Sequence, residues 1–207
     1  MPLRYFVLYK PFGVLSQFSG EGHTLGELYD FPKDVYPVGR LDKDSEGLLL
    51  VTNDKPLNHY LLDPSYGHER TYLAQVEGLI QLDALLALQE GVIIRVENKD
   101  YLTKKAKAAL LPNEPALPVR NPPIRYRKNV PDCWISLTLT EGKNRQVRKM
   151  TAKVGYPTLR LVRWSMENLT IDGMQPGQVV EKSRDEIYLS LGFSSGNRNG
   201  DSPKVRK

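Results

Sequence analysis

Charged side chains that could do chemistry crowd the segment GRLDKDSEGLLLVTND at residues 39–54. Asp42, Asp44 and Glu46 alternate along it beside Arg40, and one glycine separates them from four apolar residues. At neutral pH a carboxylate can act as a nucleophile or a general base, and several carboxylates together can bind a cation. This segment is therefore the first candidate for a functional site.

The spacing of the carboxylates admits three interpretations. DKDSEG is similar to the first half of a calcium loop, but the position of the bidentate glutamate is occupied by Asn53, and Leu48–Val51 offer no side-chain oxygens. A pair of carboxylates could also serve glycoside hydrolysis, although nothing else in the sequence indicates a sugar cleft. The third interpretation is a polar surface turn in which Arg40 pairs with Asp42.

Predicted strands lie on both sides of these charges. Hydrophobic runs predict strands over residues 3–9, 35–39 and 48–53, which places the charged segment in the connection between two of them. Asp54 is a suitable N-cap for a helix over residues 55–62, since a proline is tolerated in its first turn.

The middle of the chain alternates between strand and helix patterns. RTYLAQVE, residues 70–77, predicts a half-buried strand, LDALLALQEG predicts a helix over residues 82–91 that ends at Gly91, and CWISLTL predicts a further strand. A helix is expected from Asn144 to Gly155. Irregular interleaving of strands and helices favours an α+β fold. The folded domain is expected to span residues 1–193, followed by a disordered basic tail at 194–207.

Composition is typical of a soluble globular protein, with 40% hydrophobic and 26% charged residues. No apolar run approaches the roughly 20 residues that span a bilayer, and the N-terminus has no signal-peptide pattern. The single cysteine, Cys133, cannot form an internal disulfide, and the three histidines show no ligand spacing. We therefore expect a cytoplasmic protein with no metal and no contact with a membrane.

The net charge of +5 depends mostly on the tail. Without the four basic and one acidic residues of the tail, 25 basic and 23 acidic residues remain. The cations are instead concentrated in residues 119–128 and 142–166, which together hold eleven Lys or Arg and no Asp or Glu. Such patches produce a field suited to phosphate, although a charge run is usually only a solvated face.

Five segments, in this order, carry a resemblance that decides among the interpretations. They are YKPFGVLSQF, GRLDKDSEGLLLVTN, RTYLAQVEG, EGKNRQVRKM and GYPTLRLVRWSM. Together they resemble the pseudouridine synthases of the RsuA/RluB/RluE/RluF type, over roughly residues 3–191. The loop RNPPIRYRK and the absence of an N-terminal S4 RNA-binding domain are most similar to the RluE type, which acts on 23S rRNA.

The resemblance implies a fold and a set of catalytic residues. The fold is α+β, with mixed, mainly antiparallel sheets in two lobes, flanking helices and a central active cleft. Asp42 is the essential aspartate of the GRLD motif, Arg148 is the cation beside it, and Tyr72 stacks on the target base and helps to remove the C5 proton. Leu139, or else Leu137, forms the apolar floor.

The resemblance also implies which residues bind the substrate. They are Arg40, Leu139, Lys10, Arg145, Lys149, Arg125 and Arg127, with Tyr126 and Trp164 available to stack on bases. The helical pattern from Asn144 is consistent with this, because Val147, Met150, Thr151 and Val154 share one side and Arg145, Arg148 and Lys149 lie opposite. Cations in a first helical turn oppose the helix dipole, so helix stability alone would not select them.

The function expected from these residues is isomerisation of one uridine of 23S rRNA, in domain V, to pseudouridine. The reaction needs no cofactor, and the chain is expected to act as a monomer on 23S rRNA or on an assembly intermediate. The alternative is a non-catalytic rRNA-binding or ribosome assembly factor with the same fold. A factor of that kind would have no reason to keep Asp42, Tyr72 and Arg148 together.

Overall fold

The computed structural model describes residues 2–124 and 130–193. Its strands are β1 (Tyr5–Lys10), β2 (Tyr36–Pro37), β3 (Glu46–Thr52), β4 (Arg70–Glu77), β5 (Ile93–Val96), β6 (Lys99–Leu102), β7 (Lys107–Leu110), β8 (Asp132–Leu139), β9 (Thr158–Met166), β10 (Leu169–Thr170) and β11 (Val179–Lys182). Its α-helices are α1 (Lys55–Leu62), α2 (Leu82–Glu90), α3 (Gln146–Lys153) and α4 (Arg184–Ser190). The predicted α+β class is confirmed.

The described chain divides into two compact units. The first contains the residues up to His68 and those from Trp164 onward, and the second is Glu69–Arg163. The tail predicted at 194–207 lies outside the described residues. Within the described ranges, none of the helices has the length and apolar character needed to cross a membrane.

The first unit is built around β1, which pairs antiparallel with β11 on one side and with β3 on the other. Every residue of β1 and β3 is buried, because both strands are near-continuous apolar runs. The short strand β2 pairs with β3 through Tyr36 and Thr52. The connection from β2 to β3 holds Asp42, so a rigid buried strand begins a few residues after this carboxylate.

The second unit is built on β4 and β8, which pair antiparallel over their full lengths. β9 lies beside β4, and β7 lies beside β8. Ala84, Leu85 and Leu88 of α2 join Ile135 and Leu137 in the core of this unit. A separate hairpin, β5–β6, adds Ile94 to the same core.

A buried carboxylate joins three elements of the first unit. Asp54 is 2% exposed and accepts hydrogen bonds from the Tyr5 hydroxyl at 2.6 Å and the Tyr188 hydroxyl at 2.8 Å. Its other oxygen accepts from the Leu57 amide at 3.1 Å, which confirms the predicted N-cap of α1. Asp54 therefore ties β1 and α4 to the start of α1.

Alkaline solution should weaken this network. Burial, followed by the hydrogen bond to Asp54, raises the pKa of Tyr188 to about 12, and the same causes raise the pKa of Tyr5. A raised pKa means that the folded state holds the proton more tightly, so this contribution is complete below the ordinary pKa of about 10 and falls as the pH rises toward 12. We expect the free energy of unfolding, measured in urea, to fall over this range, and Tyr188→Phe to make the fall shallower. An equally steep fall in the variant would contradict this assignment.

Candidate active site

Asp42 lies in a tight turn between β2 and β3. The turn begins where the Val38 amide donates to the Leu50 carbonyl at 2.7 Å, and it closes where the Ser45 amide donates to the Asp42 carbonyl at 3.0 Å. Gly39 has φ +70°, a backbone conformation that favours glycine, which accounts for the first residue of GRLD. Asp42 is half-buried at this turn.

The backbone on both sides of Asp42 is held by the loop that follows β1. The Ser16 hydroxyl accepts from the Leu41 amide at 3.0 Å and donates to the Leu41 carbonyl at 2.8 Å. The Gly13 amide donates to the Lys43 carbonyl at 2.8 Å. The residues directly before and after Asp42 are therefore fixed, so the carboxylate starts from a defined backbone position.

Lys10 supports the same loop from inside. It is fully buried, and its ammonium group donates to the Val14 carbonyl at 2.7 Å and to the Pro11 carbonyl at 3.0 Å. The family resemblance implies that Lys10 binds substrate. Its complete burial favours an indirect role, in which Lys10 stabilises the loop that carries Gly13 and Ser16.

Ser16→Ala should destabilise the turn without unfolding the protein. The substitution removes two hydrogen bonds, each worth about 1 kcal/mol, and Ser16 is half-buried, so water can partly replace them. We expect a loss of about 1–2 kcal/mol in the free energy of unfolding measured in urea. Ser19→Ala is the control, because Ser19 is exposed in the same loop. Equal stability of the two variants would show that the Ser16 bonds contribute nothing.

Tyr72 lies on β4 with its predicted apolar neighbours. Tyr72 is directly opposite Leu137 on β8, and Arg70 is opposite Leu139. Directly opposed residues of antiparallel strands point to the same face, so the four side chains share one face of this sheet. Leu137 and Leu139 are buried in the core, whereas Tyr72 packs at its edge and is half-buried.

Arg163 is a neighbour of Tyr72 that the sequence did not single out. It is 3% exposed, and its side chain makes a hydrogen bond to Tyr72 and lies near Arg70. Burial lowers the pKa of the Arg163 guanidinium, Tyr72 opposes this effect, and Arg70 lowers the pKa further. A buried guanidinium beside the phenol fixes the orientation of the ring. The signal in the sequence is an arginine inside the apolar run of a strand.

The basic segment at 142–166 contributes fewer surface charges than its sequence indicates. Arg163 is buried, and so is Arg160, which donates to the Pro118 carbonyl at 2.9 Å and lies over the ring of Trp134. Both arginines are therefore buried side chains of β9 and do not contribute surface charge. Lys143, Arg145 and Lys153 remain exposed.

The helix of this segment begins later than predicted. α3 starts at Gln146, and Arg145 precedes it with φ 52° and ψ 35°. The prediction that Arg145 belongs to the first helical turn is thus wrong, because the turn before the helix holds this residue in a left-handed conformation. The Arg148 guanidinium donates to the Thr158 carbonyl at 3.2 Å, and the Lys149 ammonium lies 3.4 Å from the Asn144 side-chain oxygen.

The other residues predicted to bind substrate differ in their exposure, and some of them lie outside the described residues. Arg40 is exposed in the turn that holds Asp42, and Trp164 is half-buried. Arg125, Tyr126 and Arg127 lie outside the described residues. Across residues 2–124 and 130–193, no group of three or more His, Cys, Asp or Glu side chains could hold a metal ion.

Comparison with known proteins places these features in one family. The RNA pseudouridylate synthase family matches residues 4–153. The chain is 49% identical over 174 residues to ribosomal large subunit pseudouridine synthase E of Xanthomonas axonopodis pv. citri, covering 82% of this chain and 89% of the relative. It is 33% identical to ribosomal large subunit pseudouridine synthase B of Bacillus subtilis, over 94% of this chain and 74% of the relative.

A solved structure agrees with the sequence relatives. A crystal structure of a pseudouridylate synthase superposes with a TM-score of 0.75 at 26% identity, covering 91% of this chain and 74% of the other. The higher identity to a synthase E than to a synthase B confirms the predicted resemblance to the RluE type. The chain belongs to the RNA pseudouridylate synthase family, and it is an RNA pseudouridine synthase.

Proposed function

We propose that this protein converts one uridine of large-subunit ribosomal RNA, in domain V of the 23S molecule, to pseudouridine with Asp42 as the catalytic carboxylate. The observation that carries the proposal is the GRLD aspartate in a turn whose backbone is fixed on both sides by Ser16 and Gly13. The similarity to relatives named ribosomal large subunit pseudouridine synthase E supports the choice of RNA. The site in domain V rests on the RluE-type loop RNPPIRYRK alone.

The reaction is an isomerisation. The bond between C1′ of the ribose and N1 of the uracil breaks, the base turns, and a bond forms between C1′ and C5. The C5 proton leaves and N1 gains a proton, so the composition is unchanged and no oxidant or energy donor is required. Asp42 serves either as a nucleophile toward the sugar or base, or as the base that removes a ribose proton.

Neighbouring residues supply charge and contact. A carboxylate under a nucleobase loses hydration, which disfavours its ionised form, and a guanidinium close to it favours that form. Arg148 takes this role in the proposal, and Arg40 contacts the phosphate of the target nucleotide. Tyr72 stacks on the uracil and assists removal of the C5 proton, with its ring oriented by Arg163.

RNA binding depends on exposed cations and on an unstacked base. A uridine inside a helix cannot reach a carboxylate, so it must be flipped out, at a cost of a few kcal/mol. Phosphate contacts from Arg145 and Lys149, and from Arg125 and Arg127 of the preceding loop, offset this cost in the proposal. Leu139 supplies the apolar floor. Because ribosomal RNA is the proposed substrate, we place the protein in the cytoplasm. We also propose that it acts as a monomer.

Release of tritium tests the activity directly. Uridine labelled with tritium at C5 loses the label only if the C5 position is attacked, so the purified protein should release tritium from labelled 23S rRNA fragments. A protein that binds these fragments and releases no tritium would instead be an assembly factor. Pseudouridine mapping in a strain that lacks the gene should show the loss of one modified position in domain V, and loss of a position elsewhere would refute the domain V assignment.

A further inference from the structure

Glu141 is a buried carboxylate at the start of the basic segment. It is 3% exposed, and one of its oxygens accepts from the Tyr101 hydroxyl at 2.5 Å. The other oxygen accepts from the Gln146 side-chain amide at 2.6 Å and from the Lys104 backbone amide at 3.0 Å. Across the described residues, no Lys or Arg side chain pairs with Glu141, so only neutral groups stabilise its charge.

Burial of a carboxylate without a cationic partner is costly, and in this position it is balanced by three hydrogen bonds. The bond to Glu141, followed by burial, raises the pKa of Tyr101 to about 12, so the folded protein holds the phenolic proton more tightly than the unfolded chain does. The Lys143 ammonium lies 4.8 Å from the centre of the same ring. Tyr101, from the β5–β6 hairpin, therefore contacts both the carboxylate and the first cation of the basic segment.

Gln146 connects Glu141 to the turn at residues 143–146. Its side-chain oxygen accepts from the Lys143 amide at 2.9 Å, while its own backbone amide donates to the Lys143 carbonyl at 3.1 Å. These two bonds close the turn on Asn144 and Arg145. Arg145 has φ 52°, a conformation that few residues other than glycine and asparagine adopt without cost.

The left-handed conformation of Arg145 and the burial of Glu141 can be explained together. A left-handed arginine persists only where the surrounding contacts determine its conformation, and such residues concentrate at functional sites. The turn is fixed by Gln146, and Gln146 is fixed by Glu141. Glu141, Tyr101 and Gln146 form a hydrogen-bond network, here called the Glu141 network. This network fixes the backbone of Arg145, whose side chain is exposed.

We propose that Glu141 and Tyr101 are positioning residues that hold Arg145 in the orientation in which it contacts an RNA phosphate. This inference rests on the proposed function, which makes Arg145 an RNA contact. Arg148 is less dependent on the network, because its guanidinium has a separate bond to the Thr158 carbonyl. Loss of the network should therefore weaken RNA binding more than it slows the chemical step.

A double-mutant cycle on Tyr101→Phe and Arg145→Ala tests this coupling. Tyr101→Phe removes the hydroxyl bond to Glu141 and keeps the ring under Lys143. Arg145→Ala should weaken binding of a 23S rRNA fragment by about five- to tenfold and reduce the slope of log Kd against log salt by roughly 0.7–0.9. Tyr101→Phe should weaken binding by about threefold and reduce the slope in the same direction, with kcat within about twofold of wild type.

The double variant should bind no more weakly than Arg145→Ala alone, since the hydroxyl acts through the arginine. Tyr156→Phe is the matched control, because Tyr156 packs on the same core and its hydroxyl has no hydrogen-bond partner among the described residues. It should leave both Kd and the salt slope unchanged. Glu141→Ala leaves three donors unpaired, so its failure to fold would not affect the cycle.

Additive effects in the double variant would overturn the inference, and so would a Tyr101→Phe variant with wild-type affinity. An unchanged affinity in Arg145→Ala would also overturn it, because the network would then have no RNA contact to orient. None of these results bears on whether the wild-type protein releases tritium from labelled RNA. Failure of the inference is thus distinguishable from failure of the proposed function.

Discussion

Replacement of Asp42 by asparagine is expected to reduce pseudouridine formation by about 10³-fold or more. The amide has nearly the same shape as the carboxylate but can act neither as a nucleophile nor as a base. The hydrogen bonds to the backbone of Leu41, Asp42 and Lys43 do not involve the Asp42 carboxylate. Because these bonds remain and asparagine keeps the shape of aspartate, the variant should fold and bind RNA as the wild type does. Single-turnover tritium release with excess enzyme measures the chemical step.

Asp44→Asn is the matched control for this prediction. Asp44 is a half-buried acidic residue two positions further along the same turn. Its variant removes the same charge from the same neighbourhood, so a general electrostatic effect would slow both variants alike. We expect the rate constant of Asp44→Asn to remain within about threefold of wild type. Tritium release by Asp42→Asn and by Asp42→Ala at the wild-type rate would exclude Asp42 as the catalytic carboxylate.

Local signals in the sequence predicted several elements to the residue. The helix expected over 55–62 is α1, because an aspartate cap and an early proline fix its start. The strand expected over 70–77 is β4, since alternation distinguishes its buried face. Gly91, expected to end a helix, follows α2 and has φ 99°. In these cases the residues that determine the boundary lie within the element or directly beside it.

The strand β9 and the β5–β6 hairpin were not predicted. β9 carries Arg160 and Arg163 inside an apolar run. The sequence pattern predicts that these arginines lie on the surface, although both side chains are buried. The β5–β6 hairpin exposes Ile93 and Leu102, so its hydrophobic residues do not mark one face. Only the contacts that strands make with other parts of the chain stabilise such segments.

The sequence likewise predicts some residues of the candidate site but not the contacts that hold them. The GRLD segment predicts Asp42 as a catalytic residue, and the other four segments, in their order, predict Tyr72 and Arg148. The two hydrogen bonds by which Ser16 holds the Asp42 turn could not be predicted, because Ser16 and Leu41 are separated by 25 positions and nothing in the local sequence pairs them. The Glu141 network is similar, since Tyr101 lies 40 positions before its partner. Motifs along the chain predict candidate reactive residues, whereas the residues that hold their backbone in place are found only in the fold.

Replacement of Asp54 by alanine is expected to cause the largest loss of stability of any substitution considered. The variant loses the N-cap of α1, worth about 1 kcal/mol, and leaves two buried phenols without an acceptor, at about 1–3 kcal/mol each. The expected loss is about 3–7 kcal/mol in the free energy of unfolding, out of a typical total of 5–15 kcal/mol. Urea unfolding followed by circular dichroism measures it. Asp63→Ala, at the other end of α1, is the control and should cost about 1 kcal/mol, because Asp63 is half-buried and its hydrogen bonds to the Ser65 amide and hydroxyl can be replaced by water.

Making Asp54→Ala in two different backgrounds separates the stability contributed by the α1 cap from that contributed by the two tyrosine hydrogen bonds. In a Tyr5→Phe, Tyr188→Phe protein no hydroxyl is left unpaired when the carboxylate is removed, so the same substitution should cost only the cap, about 1 kcal/mol. The difference between the two backgrounds is the interaction energy of Asp54 with its two tyrosines. If Asp54→Ala costs the same in both, the carboxylate acts only at the helix terminus, and β1 and α4 are held together by packing alone.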